Sequence, residues 1–573
     1  MLAAVDVGPE ALMAVLAERN SWAYFTADGP VDVGALKGHL ASYLASYMVP
    51  QAFLQLDELP LTANGKVDKR ALPQIQGASG HHEIKQPATE LQQTVLGMYQ
   101  KALGLDEVSV DDDFFEIGGT SLTAAKVMMS AMMANLPIGY QDVFDARTVE
   151  GLERMVMAKR ADGSAASPDV EDVEPQPQKG QPESEIQRVL AHNTPEFVDE
   201  ASTGDLGNVL ITGAMGFLGS HVLYELLHRA RKIYAVVHAR KDRSALNRLD
   251  SVMYYYFELG NKALELFREK VEVLDGDITD SSFVESLAGF DVQTVINCAA
   301  SVKHFADFDA LYKINVDGVE NLADYCLATG ARLVHVSTAS VAGDFVEADR
   351  GDMVLTESVL DMGQDVTANA YVHTKYLAEK VILQKVADQG IDAKIMRVGN
   401  LMSREKDGEF QANFTTNNFM NTLRSYVALG CFPVSELDER EEFSPIDETA
   451  RAILLLAGTP SEFTVFHVLN SHTVEMGNVI LAMQRCGYDI EIVTEGEFQS
   501  RLRDALARDD VNAYVAPLVN YRLDDDEMRY ELSSDNSFTI KALYRLGFQW
   551  SITDMGYLEA AIRMIGLLGF FEM

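Results

Sequence analysis

The stretch VLITGAMGFLGSHVLYELL, residues 209–227, decides the fold of the longer part of this chain. Three apolar residues and Thr212 run straight into Gly213, Gly216 and Gly219, and a helical pattern begins at once after them. A glycine triplet in that position serves a tight strand-to-helix turn, lets a pyrophosphate approach the backbone, and faces it with a helix N-terminus. Outward from this turn, NVLITGA, KIYAVVHA, VEVLDGD, TVINCAA, RLVHVST and DAKIMRVGN are short β-branched runs separated by helical stretches. Alternation of this kind predicts an α/β, doubly wound parallel sheet. Past residue 400 the pattern loosens into a smaller mixed region.

The run after the second strand reads VVHARKDRSALNRL and has no acidic residue at its tip to hold a ribose 2′-hydroxyl. Arg240 and Lys241 follow that tip and Arg248 lies further on, as a 2′-phosphate requires, so NADPH is favoured over NADH. GDI at 276–278 closes the third strand and NCAA at 297–300 the fourth, both on the edge of the sheet that would face the nucleotide. HVSTASVAG then offers Thr338, and YVHTKYLAEK offers Tyr371 with Lys375 one helical turn later. An ammonium beside a phenol favours tyrosinate, so Lys375 is expected to lower the Tyr371 pKa while Thr338 shares the substrate oxygen.

Residues 1–184 have a different character. In DDFFEIGGTSLTAAKV, residues 111–126, two glycines and a threonine precede Ser121, which opens a helical stretch. A serine there ordinarily caps the helix. The Gly118-Gly119 turn also presents its hydroxyl rigidly, with Phe114, Phe115, Ile117 and Leu122 as anchors. Residues 86–158 read as a small helical module with helices near 88–103, 121–134 and from 148. Upstream, Asn64-Gly65 marks a turn that holds Lys66 on a loop. From 161 the chain turns acidic and rich in Pro, Gln and Ser, predicting a flexible linker.

At 573 residues the chain has room for roughly four domains. A net charge of −39 opposes binding to nucleic acid or an anionic membrane. Cys298, Cys326, Cys431 and Cys486 are widely spaced and form no metal or redox pair. No apolar run approaches the ~20 residues that span a bilayer, and the N-terminus lacks a basic segment before an apolar one. A cytoplasmic protein with no membrane and no nucleic-acid partner is expected, and no metal.

The glycine turn, the ST pair at a strand end and the Tyr371/Lys375 spacing together resemble the extended short-chain dehydrogenase/reductases over roughly 205–470. The resemblance makes Thr338, Tyr371 and Lys375 the catalytic residues. It places the cofactor on Thr212, Gly213, Gly216, Phe217, Leu218, Arg240, Arg248, Asp277, Ile278, Ala299, Val398 and Asn400. GFLGSHVLYELL, MRVGNLMSREKDGEFQANF and EEFSPIDETARAILLLA are similar to the thioester reductase domains that end nonribosomal peptide synthetases and carboxylic acid reductases. Those domains carry an arginine where this chain has His238, which shifts the phosphate contact to Arg240 and Arg248. DDFFEIGGTSL resembles the carrier signature whose serine, here Ser121, receives 4′-phosphopantetheine from a phosphopantetheinyl transferase. YMVPQAFLQLDELPLTANGKVDKRAL resembles the end of an adenylation domain, with Lys66 as its acyl-adenylate lysine. The ATP-binding loops of such a domain are not in this sequence, so the segment is expected to be a remnant or the cut end of a longer chain, unable to activate an acid alone.

The implied organisation is multidomain. An α+β fragment of an adenylation domain spans 1–77, a small four-helix peptidyl carrier bundle 84–160, an acidic linker 161–190, and a Rossmann-like reductase with a mixed C-terminal substrate-binding region 191–573. The implied activity is NADPH-dependent reductive release of a carrier-bound acyl or peptidyl thioester, delivered by upstream synthetase domains, as an aldehyde or further to an alcohol. Two rivals stand beside it: a redox-neutral Dieckmann-type cyclisation module, whose members lack the tyrosine, and a sugar-nucleotide epimerase or dehydratase, for which a carrier in cis has no use.

Overall fold

A computed structural model describes residues 2–6, 11–16, 22–26 and 52–56, and, with short interruptions, residues 85–162 and 185–571. Lys66, Ser121 and Lys241 lie outside the described residues. The chain divides into two units, one within residues 1–174 and one within residues 175–518 and 525–573.

In the first unit, β1 (Leu2–Asp6), β2 (Ala11–Leu16), β3 (Trp22–Phe25) and β4 (Ala52–Gln55) form one sheet in that order. The helical module follows. Its first helix, α1 (Glu90–Leu103), packs on α2 (Val149–Asp162). Val95, Tyr99, Phe114, Val127, Met128, Val143, Leu152 and Val156 are buried between the helices and their connections. Phe114 is the centre of this core, its ring 4.6 Å from that of Tyr99. Gly119 donates its N–H to the Phe114 carbonyl at 2.7 Å. A Cβ at Gly119 would stand 2.3 Å from that carbonyl oxygen, so the turn before Ser121 closes only on glycine.

The second unit begins earlier than the expected end of the linker. A helix, α3 (Glu185–Leu190), occupies residues assigned to the linker from composition. Leu190 is fully buried in the core and Ile186 and Val189 pack against it, an apolar triplet at helical spacing that the polar neighbours obscured.

Seven parallel strands then build the sheet. In chain order the elements are β5 (Val209–Thr212), α4 (Phe217–Leu226), β6 (Ile233–Val237), α5 (Ala245–Phe257), α6 (Asn261–Lys270), β7 (Val271–Asp275), α7 (Ser281–Ser286), β8 (Thr294–Asn297), α8 (Phe308–Tyr312), α9 (Gly318–Thr329), β9 (Arg332–Thr338), α10 (Ala370–Gln389), β10 (Ala393–Val398), α11 (Ile446–Ala457), β11 (Val465–Val468) and α12 (Ser537–Arg545). Their spatial order is β11-β10-β9-β8-β5-β6-β7. Chain order reverses between β5 and β8, and the crevice at the carboxyl ends of those two strands is where such sheets bind ligands. One face of the sheet, with Ile211, Ile296, Val334 and Met396, is covered by α4, α11 and α12. The other, with Leu210, Val295, Leu333 and Ile395, is covered by α9 and α10. The C-terminal region is therefore not wholly separate: α11, β11 and α12 return to complete the sheet and its core, while residues around them form short two-stranded pairs and helices.

Among the described residues no helix is long and apolar enough to cross a membrane, and no cluster of His, Cys, Asp and Glu could hold a metal. All four cysteines are free thiols.

Candidate active site

Gly213 turns the chain out of β5 at φ +70°, a region that costs an L side chain strain. A Cβ there would lie 2.4 Å from the Ala299 nitrogen, so β5 and β8 meet backbone to backbone at the switch point. Gly219 closes the turn from the other side, where a Cβ would meet the Gly213 oxygen at 2.2 Å. Helix α4 starts from Gly216, and no side chain caps that end. A bare helix N-terminus over a turn with glycine at both ends fits a dinucleotide pyrophosphate. Phe217 and Leu218 offer it only their backbone: the Phe217 ring packs on Phe410, Tyr256 and His221, and Leu218 belongs to the core.

At the tip of β6, Arg248 reaches back from α5 and donates to the His238 carbonyl. Arg240, exposed, pairs backbone to backbone with Arg243, a third arginine at this tip that the sequence reading passed over. Asp275 accepts from the Ala239 N–H at 2.8 Å and so fixes the loop that carries them. Asp277 is exposed and caps the Thr279 N–H at 2.9 Å. Ile278 is buried against Gly318. Val398 is buried at the end of β10 beside Thr338, and the Asn400 N–H donates to Glu442 at 2.7 Å. Burial pushes Glu442 up to about 7.

Thr338 ends β9, and its hydroxyl accepts the Ser340 N–H at 3.1 Å, starting the 3-10 turn Ala339–Ala342. Tyr371 opens α10, whose position is set by Asn369: that side chain accepts from the Tyr371 and Val372 N–H groups at 2.9 and 3.2 Å. The two elements bring the Tyr371 side chain into a hydrogen bond with Thr338. The expected lowering of the Tyr371 pKa is absent. Burial pushes the phenol up to about 12, with the Thr338 bond opposing. Lys375 is instead turned to the strand: its Nζ donates to the Val336 carbonyl at 2.6 Å and lies 3.2 Å from His335 Nε2. Burial pushes Lys375 down to about 8, against the opposing fields of Glu379 and Cys298.

The α10 side of the sheet carries two polar rows where apolar residues are the rule. In the first, Thr212, Asn297 and His335 are register partners on β5, β8 and β9. In the second, Ser337, Arg397 and His467 are partners on β9, β10 and β11. Glu379, one turn after Lys375, accepts from Ser337 at 2.5 Å and pairs with Arg397 at 2.8 Å, both members of the pair wholly buried. A five-residue π-helical turn, Lys313–Asp317, inserts Asn315 between α8 and α9. Its amide accepts the Ser301 N–H at 2.8 Å and donates to Thr374 Oγ1 at 3.0 Å, tying the loop after β8 to α10. Sequence reasoning missed His335, Asn315, Glu379 and Arg397. The two-residue spacing of His335 and Ser337 inside an apolar strand was the available signal.

Comparison with known proteins places both halves. The family described as "Male sterility protein" matches residues 211–453, and that described as "Phosphopantetheine attachment site" matches residues 93–156. Isonitrile lipopeptide synthase of Mycobacterium tuberculosis is 29% identical over 502 residues, covering 79% of this chain and 19% of that protein. L-2-aminoadipate reductase of Saccharomyces cerevisiae is 24% identical over 534 residues, covering 86% of this chain and 37% of that protein. The chain thus spans well under half the length of these curated relatives. Among solved structures, a thiolation-reductase di-domain from an archaeal nonribosomal peptide synthetase is 32% identical, with TM-score 0.73, 86% of this chain and 100% of that one being covered.

Proposed function

Because the chain belongs to the thiolation-reductase di-domains of nonribosomal peptide synthetases, and is an NAD(P)H-dependent oxidoreductase joined to a phosphopantetheine carrier, we propose that it releases a carrier-bound acyl or peptidyl thioester by reduction to an aldehyde. The observation that carries this reading is the Tyr371–Thr338 hydrogen bond, in one chain with the Gly213 turn and a carrier module.

Bound at the glycine turn, with its 2′-phosphate toward Arg240 and Arg248, NADPH would supply the hydride for the thioester carbonyl carbon. The side chains do the rest. Thr338 and Tyr371 hold the carbonyl oxygen, and Tyr371, protonated across the neutral range, gives it a proton as negative charge develops. Lys375 stands one turn away on α10 to orient the nicotinamide ribose. The carbon–sulfur bond then breaks, and the balance is one thioester, one NADPH and one proton to one aldehyde, one free thiol and NADP⁺. Ser121 carries the phosphopantetheine. Tethering raises the local substrate concentration, so the carrier and the reductase need little affinity of their own. Upstream synthetase domains would supply the acyl group and a phosphopantetheinyl transferase would prime Ser121. Division into an adenylation-domain C-terminal subdomain over 1–77, a carrier over 84–160 and a reductase from α3 onward follows from the same reading.

The test is to load the chain with a simple aminoacyl-phosphopantetheine, add NADPH, and follow NADPH oxidation with mass spectrometry of the product. One aldehyde per NADPH is expected. A cyclised product released without NADPH consumption would instead establish the redox-neutral alternative.

A further inference from the structure

Three stretches of chain meet where β10 and β11 leave the sheet. Leu401–Met402 pairs parallel with Ser444–Pro445, and Arg440–Glu442 pairs antiparallel with Thr473–Glu475. The half-buried Glu442 side chain stands at their junction. Its Oε2 accepts the Asn400 N–H at 2.7 Å, two residues past the end of β10. Its Oε1 accepts the Asn470 N–H at 3.1 Å, two residues past the end of β11, and that N–H is shared with Ser444 Oγ at 2.9 Å. The Ser444 hydroxyl donates to the same Oε1. Backbone N–H groups just beyond a strand have left its ladder and need an acceptor from elsewhere. An ionised carboxylate accepts on both oxygens and donates on neither, so it suits two N–H groups and a hydroxyl converging on it. An amide in its place would set an NH₂ against one of those N–H groups.

The chain is shaped around this carboxylate. A Cβ at Gly399 would overlap Glu442 Oε2 and its carboxyl carbon, and Gly399 has no positive φ, so close approach alone asks for glycine there. On the β11 side, the Asn470 amide is 2% exposed and donates to the Phe443 and Ser551 carbonyls at 3.1 and 3.2 Å, which makes that side a fixed anchor. On the β10 side, Asn400 is exposed, and Val398 just before Gly399 is the register partner of Thr338. Arg240 and Arg248 lie at the tip of β6, across the β5–β8 switch point from β9 and β10. A dinucleotide with its 2′-phosphate at those arginines and its pyrophosphate on the Gly213 turn therefore runs its nicotinamide end toward β9 and β10.

We propose that Glu442 is a positioning residue of the reductase site: it clamps the ends of β10 and β11 together through the Asn400 and Asn470 N–H groups, and so fixes the Gly399–Asn400 turn against which the nicotinamide end of NADPH settles. This rests on the reductase reading for its ligand, whereas the clamp itself does not. Glu442 acts through the backbone it holds, its two oxygens being spent on the three donors.

The experiment compares two nucleotides and follows backbone hydrogen exchange on the full chain at pH 8, where Glu442, raised by burial to about 7, is ionised. NADPH spans the whole cleft, whereas 2′,5′-ADP carries the adenosine and 2′-phosphate without the nicotinamide. Glu442→Gln leaves a backbone N–H facing an amide NH₂ and should weaken NADPH binding about tenfold while 2′,5′-ADP binding stays within about twofold of wild type. Gly399→Ala displaces the carboxylate without removing it and should split the two affinities in the same way. Glu441→Gln removes an equal charge one residue away and should leave both affinities at the wild-type value. By hydrogen-exchange mass spectrometry, peptides covering 399–402 and 469–472 should be protected in the wild type and should both exchange faster in Glu442→Gln. If Glu442→Gln does not fold, Gly399→Ala and the wild-type exchange decide. An equal loss for NADPH and 2′,5′-ADP, an effect of Glu441→Gln as large as that of Glu442→Gln, or unprotected wild-type amides in either stretch overturns the proposal. Turnover of the loaded wild type is read in parallel. NADPH that binds and is not oxidised counts against the reductive reading alone, since neither binding nor exchange needs turnover.

Discussion

Gly213 and Ala299 touch through their backbones at the one place in the sheet where chain order reverses, with the Gly213 Cα so close that an added Cβ would stand 2.4 Å from the Ala299 nitrogen. Both the positive φ and the contact forbid a side chain. Gly213→Ala should lower stability by about 2–3 kcal/mol and weaken NADPH binding at least tenfold, because relief requires β5 and β8 to part at the turn proposed to hold the pyrophosphate. Denaturant melts and nucleotide fluorescence titrations check this; an alanine variant with wild-type affinity would show that the turn is not the nucleotide site.

In the proposed function the arginines at the β6 tip are what decides between the two nicotinamide nucleotides. Arg248 is already oriented by the His238 carbonyl, and Arg240 stands exposed beside it. Arg240→Ala and Arg248→Ala should each raise the NADPH dissociation constant about tenfold, the worth of one charge-assisted hydrogen bond, and leave NADH binding unchanged. Equal loss for both nucleotides would place the arginines elsewhere than at a 2′-phosphate.

Tyr371→Phe removes the proton donor and its bond to Thr338 while keeping the ring that fills the start of α10. Single-turnover reduction of a loaded carrier should fall ~10²–10⁴-fold with NADPH affinity kept, since proton transfer is lost and nucleotide contacts are not. Rapid-quench product analysis with a parallel binding titration separates the two quantities.

Much of this was legible beforehand, and the reasons differ from place to place. The glycine turn and the strand sequence were readable because backbone geometry itself demands those residues. That Tyr371 and Lys375 share one helix a turn apart was readable from their spacing, and that Thr338 ends a strand from the β-branched run before it. What Lys375 faces was not: the sequence pairs it with Tyr371, whereas the fold turns it to Val336 and His335, a partnership set by strand register across β8 and β9. The Glu379–Arg397 pair lies 18 residues apart on different elements, and only the crossing of α10 over β10 makes it a pair. Helix α3 was hidden by the acidic, proline-rich composition just before it, its three apolar residues being too few to stand out.

Glu357 provides a pH-dependent test of the same core. Its side chain is 1% exposed and accepts the Thr539 N–H at 3.0 Å and the Thr539 hydroxyl at 2.8 Å. Burial, aided by Asp535, pushes its carboxyl up to about 7. The folded state therefore holds a proton that the unfolded state, with an ordinary value near ~4.3, releases. Stability from this group is complete below the unfolded value and is lost as pH rises through about 7. Glu357→Gln keeps an acceptor oxygen for Thr539 and cannot ionise. It should be more stable than the wild type by about 3 kcal/mol at pH 8, with the difference shrinking to about 1 kcal/mol by pH 5. Urea unfolding at the two pH values measures it, and a difference that does not change with pH would mean that Glu357 is ionised in the folded protein throughout.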